Sequence, residues 1–146
     1  MRGAYRGLAV LIAVGVLVQA AAVAGGWFGT INEVDDGAVI NSDYDGNVGH
    51  AVHGIVGMMV MPLLGLLLLI VSPFAKIPGG AKWAGLTLLA IVVQVVLAFV
   101  AFGVPLVGVL HGLNAFVVLG LAANSARHAG AVTTSAHAHT EAPAAV

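Results

Sequence analysis

Four stretches of this chain run for about 20 residues each with almost no charge, the length an α-helix needs to cross a bilayer's hydrocarbon core. They extend from about Leu8 to Phe28, Val48 to Val71, Trp83 to Gly103 and Leu106 to Ala126. Each is continuously apolar. None alternates apolar and polar positions as the strand of a membrane barrel does, so the backbone must satisfy its hydrogen bonds within helices. Only 8% of the 146 residues are charged, too few to solvate a soluble domain of this size. The expected fold is an all-α integral membrane four-helix bundle with the lipid bilayer as its solvent.

Orientation follows from the bases. Arg2 and Arg6 precede the first run, Lys76 and Lys82 lie between the second and third, and Arg127 follows the fourth. The loop between the first two runs has no Lys or Arg but carries Glu33, Asp35, Asp36, Asp43 and Asp45. All bases thus fall on one side, which the positive-inside rule assigns to the cytoplasm together with both termini. The acidic loop is then outside, a solvated cap over the outer mouth. Its Asp43-Tyr44-Asp45-Gly46-Asn47 run has part of a calcium-loop pattern but lacks the rest. Two readings of the first run stay open. Arg2 and Arg6 before an apolar stretch ending Ala22-Val23-Ala24 resemble a cleavable signal peptide, whereas Trp27 suits an interfacial anchor on a retained helix. Residues 129–146, rich in Ala, Thr and Ser, are expected to form a disordered cytoplasmic tail.

Several functions are excluded early. With no Cys there is no disulfide, thiolate metal site, iron–sulfur cluster or thioether-attached haem. A net charge of −1 offers no field for nucleic acid. No serine nucleophile with a base, paired buried carboxylates or phosphate-binding loop is present.

Histidine is what remains to be explained. His53 lies in Gly49-His50-Ala51-Val52-His53-Gly54 near the outer end of the second run, and His111 in Gly108-Val109-Leu110-His111-Gly112 near that of the fourth. An imidazole inside a bilayer costs free energy unless it faces the protein and finds a partner. At about 1.5 Å per residue, both histidines fall roughly 7–9 Å below their helix starts. Similar depth on two helices suits a bis-histidine b-haem, with Gly57 and Gly112 leaving room for a flat ring. His50 shares nearly the same face as His53 and is the alternative ligand on that helix. Polar packing between helices and a copper- or zinc-type site are the other two readings. Gln19, Gln94 and Asn114 read as interhelical hydrogen bonders, and Asn114, one turn from His111, can also orient that imidazole or touch a ring substituent. Pro62 predicts a kink near mid-membrane. A short repeat, Val16-Leu17-Val18-Gln19 against Ile91-Val92-Val93-Gln94, suggests two helical hairpins related by pseudo-twofold symmetry.

The run Gln94-Val95-Val96-Leu97, then Gly103, Pro105 and His111-Gly112-Leu113-Asn114-Ala115, resembles the third and fourth helices of one half of a haem A synthase. The outline covers roughly residues 8–128 and is also similar to small four-helix bacterial membrane proteins with histidine in the second and fourth helices. The resemblance implies one haem b between paired histidines, His53 (or His50) and His111, in a bacterial plasma membrane. The acidic residue and Arg that flank the synthase's first histidine are missing, since Asn47 precedes His50 by three and Ala51 and Gly54 follow the two histidines. The implied function is therefore electron transfer, with quinone or a partner redox subunit, rather than synthase chemistry. The alternative is a cofactor-free accessory or assembly subunit of a larger membrane complex, in a homo- or hetero-oligomer.

Overall fold

The computed structural model describes residues 1–140, with side-chain surroundings over residues 1–130. Four helices follow one another: α1 (Arg2–Asp35), α2 (Val48–Ala75), α3 (Gly80–Gly103) and α4 (Val107–Thr140). Each contains a stretch long and apolar enough to cross a membrane. Each helix packs on the one before it, and α4 closes the ring against α1. This is the up-down arrangement that short connections impose on a bundle. It brings Arg2, Arg6, Lys76, Lys82 and Arg127 to one end. There Arg2 Nε donates to the Ala75 carbonyl at 3.3 Å and the buried Tyr5 hydroxyl to that of Gly80 at 2.9 Å.

The helices are longer than hydropathy alone implies. At about 1.5 Å per residue the 34 residues of α1 span about 51 Å, against about 30 Å of hydrocarbon, so α1 reaches past the apolar layer. It continues beyond Phe28 because its inward stripe continues. Tyr5, Ala9, Ile12, Val16, Gly26 and Thr30 are buried at alternating three- and four-residue steps, or between Val16 and Gly26 at a sum of such steps, the spacing of a left-handed helix seam. In α4, Val118, Ala122, Ser125 and Ala129 repeat that spacing. Beyond Ala126 the backbone of α4 is helical to Thr140, within the stretch expected to be a tail. Residues 141–146, and the disorder expected of them, lie outside the described residues.

The outer loop is tied down by side chains. The Tyr44 hydroxyl donates to Glu33 Oε2 at 2.6 Å, which holds that hydroxyl above its ordinary pKa, and lies 2.9 Å from the Thr30 hydroxyl. Asn47 Nδ2 donates to the Gly26 carbonyl at 2.8 Å, while Asn47 Oδ1 accepts from the Gly49 and His50 N–H groups and so caps α2. Here α1 and α2 cross with backbones in contact. A Cβ on Gly49 would fall 2.6 Å from the Ala22 carbonyl oxygen and against the Gly26 backbone. Only glycine fits at that crossing.

Where Pro62 predicted a kink, α2 instead carries a π-helical segment, Val56–Val60. Proline has no N–H for the preceding turn and its ring crowds the carbonyl four residues back. A π turn absorbs that conflict by inserting one residue. The register shows the insertion. Counting inward positions from His53 at the usual steps of three and four gives Gly57, Val60, Leu64, Leu67 and Val71. The buried residues are Met61, Gly65, Leu68 and Ser72, each one later. Without the extra residue, His53 and the buried half of α2 could not face the same interior.

Gly49→Leu should separate α1 from α2 at their crossing and destabilise the bundle by about 1–3 kcal/mol, the usual range for overpacking. Thermal unfolding of the detergent-solubilised protein measures this. An unchanged midpoint would mean that the crossing is not tight.

Candidate functional site

The inward stripes of the four helices do not fill the bundle near its acidic-loop end. They leave a cavity of about 430 Å³ to which all four helices contribute. Its walls are apolar, and among the described residues its only polar side chains are Gln19, His53, Gln94 and His111. Phe99, Phe102 and Phe116 line it and are themselves exposed on the bundle's outer surface, so the cavity reaches the lipid-facing side.

Both histidines are oriented in the same way. Each Nδ1 lies against a backbone carbonyl of the helix before it in the chain: His53 on Gln19 O at 3.1 Å and His111 on Gln94 O at 3.0 Å. A carbonyl oxygen only accepts, so Nδ1 carries the proton and Nε2 is left with its lone pair. Each helical carbonyl has a second lone pair beyond its own helix bond, which lets it serve without breaking α1 or α3. This is how metal-binding histidines are commonly held, with the outer N–H donating to a carbonyl. The two bonds also pin α2 to α1 and α4 to α3.

The rings face one interior. Their centroids are 6.2 Å apart with planes at 62°. An imidazole nitrogen sits about 2.0–2.1 Å from a metal it binds and its ring centre about 1.1 Å further back, so two imidazoles on opposite sides of one metal have centres about 6.3 Å apart. Rings sharing that axis can differ in twist, so 62° is compatible. A metal held by protein alone needs three or four donors. Among the described residues no group of three or more His, Cys, Asp or Glu could hold a metal ion. Two imidazoles across an apolar cavity therefore fit a metal whose other donors come with it, as in a porphyrin, better than a bare zinc or copper ion.

Not every residue singled out in the sequence lies here. Gly57 and Gly112 line the cavity, as does Gly54. A Cβ on Gly54 or Gly112 would meet nothing within 4 Å, whereas one on Gly57 would meet the Gln19 amide at 3.4 Å. His50 does not line the cavity. Its Nδ1 accepts from the Asn47 N–H at 3.5 Å, completing a capping box at the start of α2. Asn114 does not line it either. It donates to the Ala90 carbonyl at 2.9 Å and to Gln94 Oε1 at 2.7 Å. Gln94 in turn uses its amide on His111, 3.1 Å from Nε2 and 2.9 Å from the carbonyl. The sequence marked Gln19 and Gln94 as packing groups. Their backbone oxygens, which hold the imidazoles, were foreshadowed only by the repeat that aligns them.

Compared with known proteins, the chain matches no family model, no curated protein and no solved structure.

Proposed function

We propose that this chain is an integral membrane b-type haem protein in which His53 and His111 ligate one haem, serving electron transfer or acting as the membrane subunit of a redox complex. The observation that carries this reading is the pair of imidazoles 6.2 Å apart, each with Nδ1 on a carbonyl of the neighbouring helix, so that Nε2 is the nitrogen left to face a ligand, free in His53 and met by the Gln94 amide in His111. The haem when bound would supply one-electron redox chemistry. The chain's own part is to orient both imidazoles, surround the site with apolar walls and present glycine where a flat ring needs space. Neutral surroundings with no charged side chain on the wall would favour the lower-charged, reduced state of such a centre. The exposed phenylalanines at the cavity's rim offer a route for exchange with a quinone in the lipid or with a partner subunit.

The matching Gln19–His53 and Gln94–His111 bonds also support pseudo-twofold hairpins as part of the proposal. The distribution of bases supports both termini being cytoplasmic, and the bacterial plasma membrane is part of the proposal on the family resemblance alone.

Expressed with ample haem and purified in detergent, the wild type should show a low-spin b-type spectrum. His53→Ala and His111→Ala should each abolish it, and His50→Ala should retain it. A wild type without haem absorbance, or a spectrum lost only with His50→Ala, would overturn the assignment, and in the first case the histidines are packing groups of an accessory subunit.

Topology is testable in this cysteine-free chain. Ser42 and Lys82 are both exposed, at opposite ends of the bundle. An impermeant thiol reagent added to intact cells should label Ser42→Cys and spare Lys82→Cys. The reverse pattern would invert the orientation.

A further inference from the structure

The two imidazoles are held alike but are not equally free. His53 Nε2 makes no hydrogen bond among the described residues, whereas the Gln94 amide lies 3.1 Å from His111 Nε2. Because Nδ1 of His111 already donates to the Gln94 carbonyl, Nε2 must accept from that amide, and its lone pair is occupied. The same amide donates to the His111 carbonyl at 2.9 Å, and Asn114 fastens it by donating to Gln94 Oε1 at 2.7 Å.

None of this is needed to orient the ring, which the Gln94 backbone oxygen does regardless of the side chain. The matching amide on α1 is not used in this way. Gln19 Nε2 is buried and has no hydrogen-bond partner among the described residues. The difference lies three residues past each histidine, where α4 has Asn114 and α2 has Val56. A side chain that could donate to Gln19 as Asn114 donates to Gln94 is therefore missing.

Resting on the haem reading, we infer that Gln94, locked by Asn114, is an internal competitor for the coordinating nitrogen of His111, which makes haem binding at this site reversible. His53 is the standing ligand and His111 the guarded one. Before His111 Nε2 can ligate iron, Gln94 has to withdraw its N–H from that lone pair. Withdrawal exchanges one hydrogen bond for one coordinate bond, and no proton moves. When haem leaves, the amide returns and the half-buried imidazole is never left with an unsatisfied acceptor, a state that is costly against an apolar wall. The arrangement suits a protein that takes up and hands on haem, or whose occupancy follows haem supply, better than one with a permanent centre.

The test is an equilibrium titration of the detergent-solubilised full chain with haem, read by absorbance, for wild type, Gln94→Leu and Asn114→Ala. Gln94→Leu should tighten binding about three- to tenfold, the range expected from the net worth of one neutral hydrogen bond, and keep the low-spin spectrum. Asn114→Ala should shift affinity in the same direction by less. Asn114 does not line the cavity, so tightening there cannot come from a more apolar wall. It also carries the test if Gln94→Leu does not fold. If the wild type binds haem and neither variant tightens it, the competitor role falls and the haem reading stands. If no form of the protein binds haem, both fall.

Discussion

The site depends on one extra residue in α2. The π turn at Val56–Val60 shifts the buried face below it by one position, so His53 above and Met61, Leu68 and Ser72 below all point into the bundle. A regular helix through Pro62 would set these two halves about 100° apart, the angular step of one residue at 3.6 per turn. Either His53 would turn to lipid or the lower half of α2 would lose its packing on α3. π segments are uncommon and tend to occur at functional sites. Here the cost of the irregular turn is offset by keeping both the core and the imidazole in place.

With that register fixed, the outer half of the bundle stays open for a physical reason. Towards the end that carries the bases the helices meet through Tyr5, Ile12 and Leu68, which fill the interior. Around the cavity the inward positions include Gly57, Gly112, Gln19, His53, Gln94 and His111, too small or too polar to close the gap. The close crossing of Gly26 and Gly49 draws α1 and α2 together above the cavity, and Asn47 fastens it. Each imidazole then has a carbonyl partner on the neighbouring helix, which removes most of its burial penalty.

The bundle was legible in the sequence because four long apolar runs have no other solution in lipid. Helix ends were not, since hydropathy stops at Phe28 while the buried stripe of α1 continues to Thr30 and the helix itself to Asp35. His50 shares a helical face with His53, but Asn47-Val48-Gly49-His50 is a helix-start pattern in which the fourth residue reaches back to the first. That local chemistry takes His50 away from the cavity. Pro62 marked the right place but not the kind of irregularity, because a missing N–H can be absorbed by a kink or by a π turn and the choice depends on the packing below. The side chain of Asn114 is the interhelical hydrogen bonder the sequence suggested, and the further role of orienting the imidazole directly is not what it does. It acts one step away, through Gln94, since the carbonyl of Gln94 already occupies the ring's outer nitrogen.

Electron paramagnetic resonance of the oxidised, haem-loaded protein, with the haem content measured on the same sample, tests the assignment of His53 and His111 to one iron most directly. Two imidazoles on one iron predict a low-spin ferric signal with about one haem per chain, since two nitrogen ligands complete six-coordination. A purely high-spin signal, or haem far below one per chain in a folded sample, would contradict it.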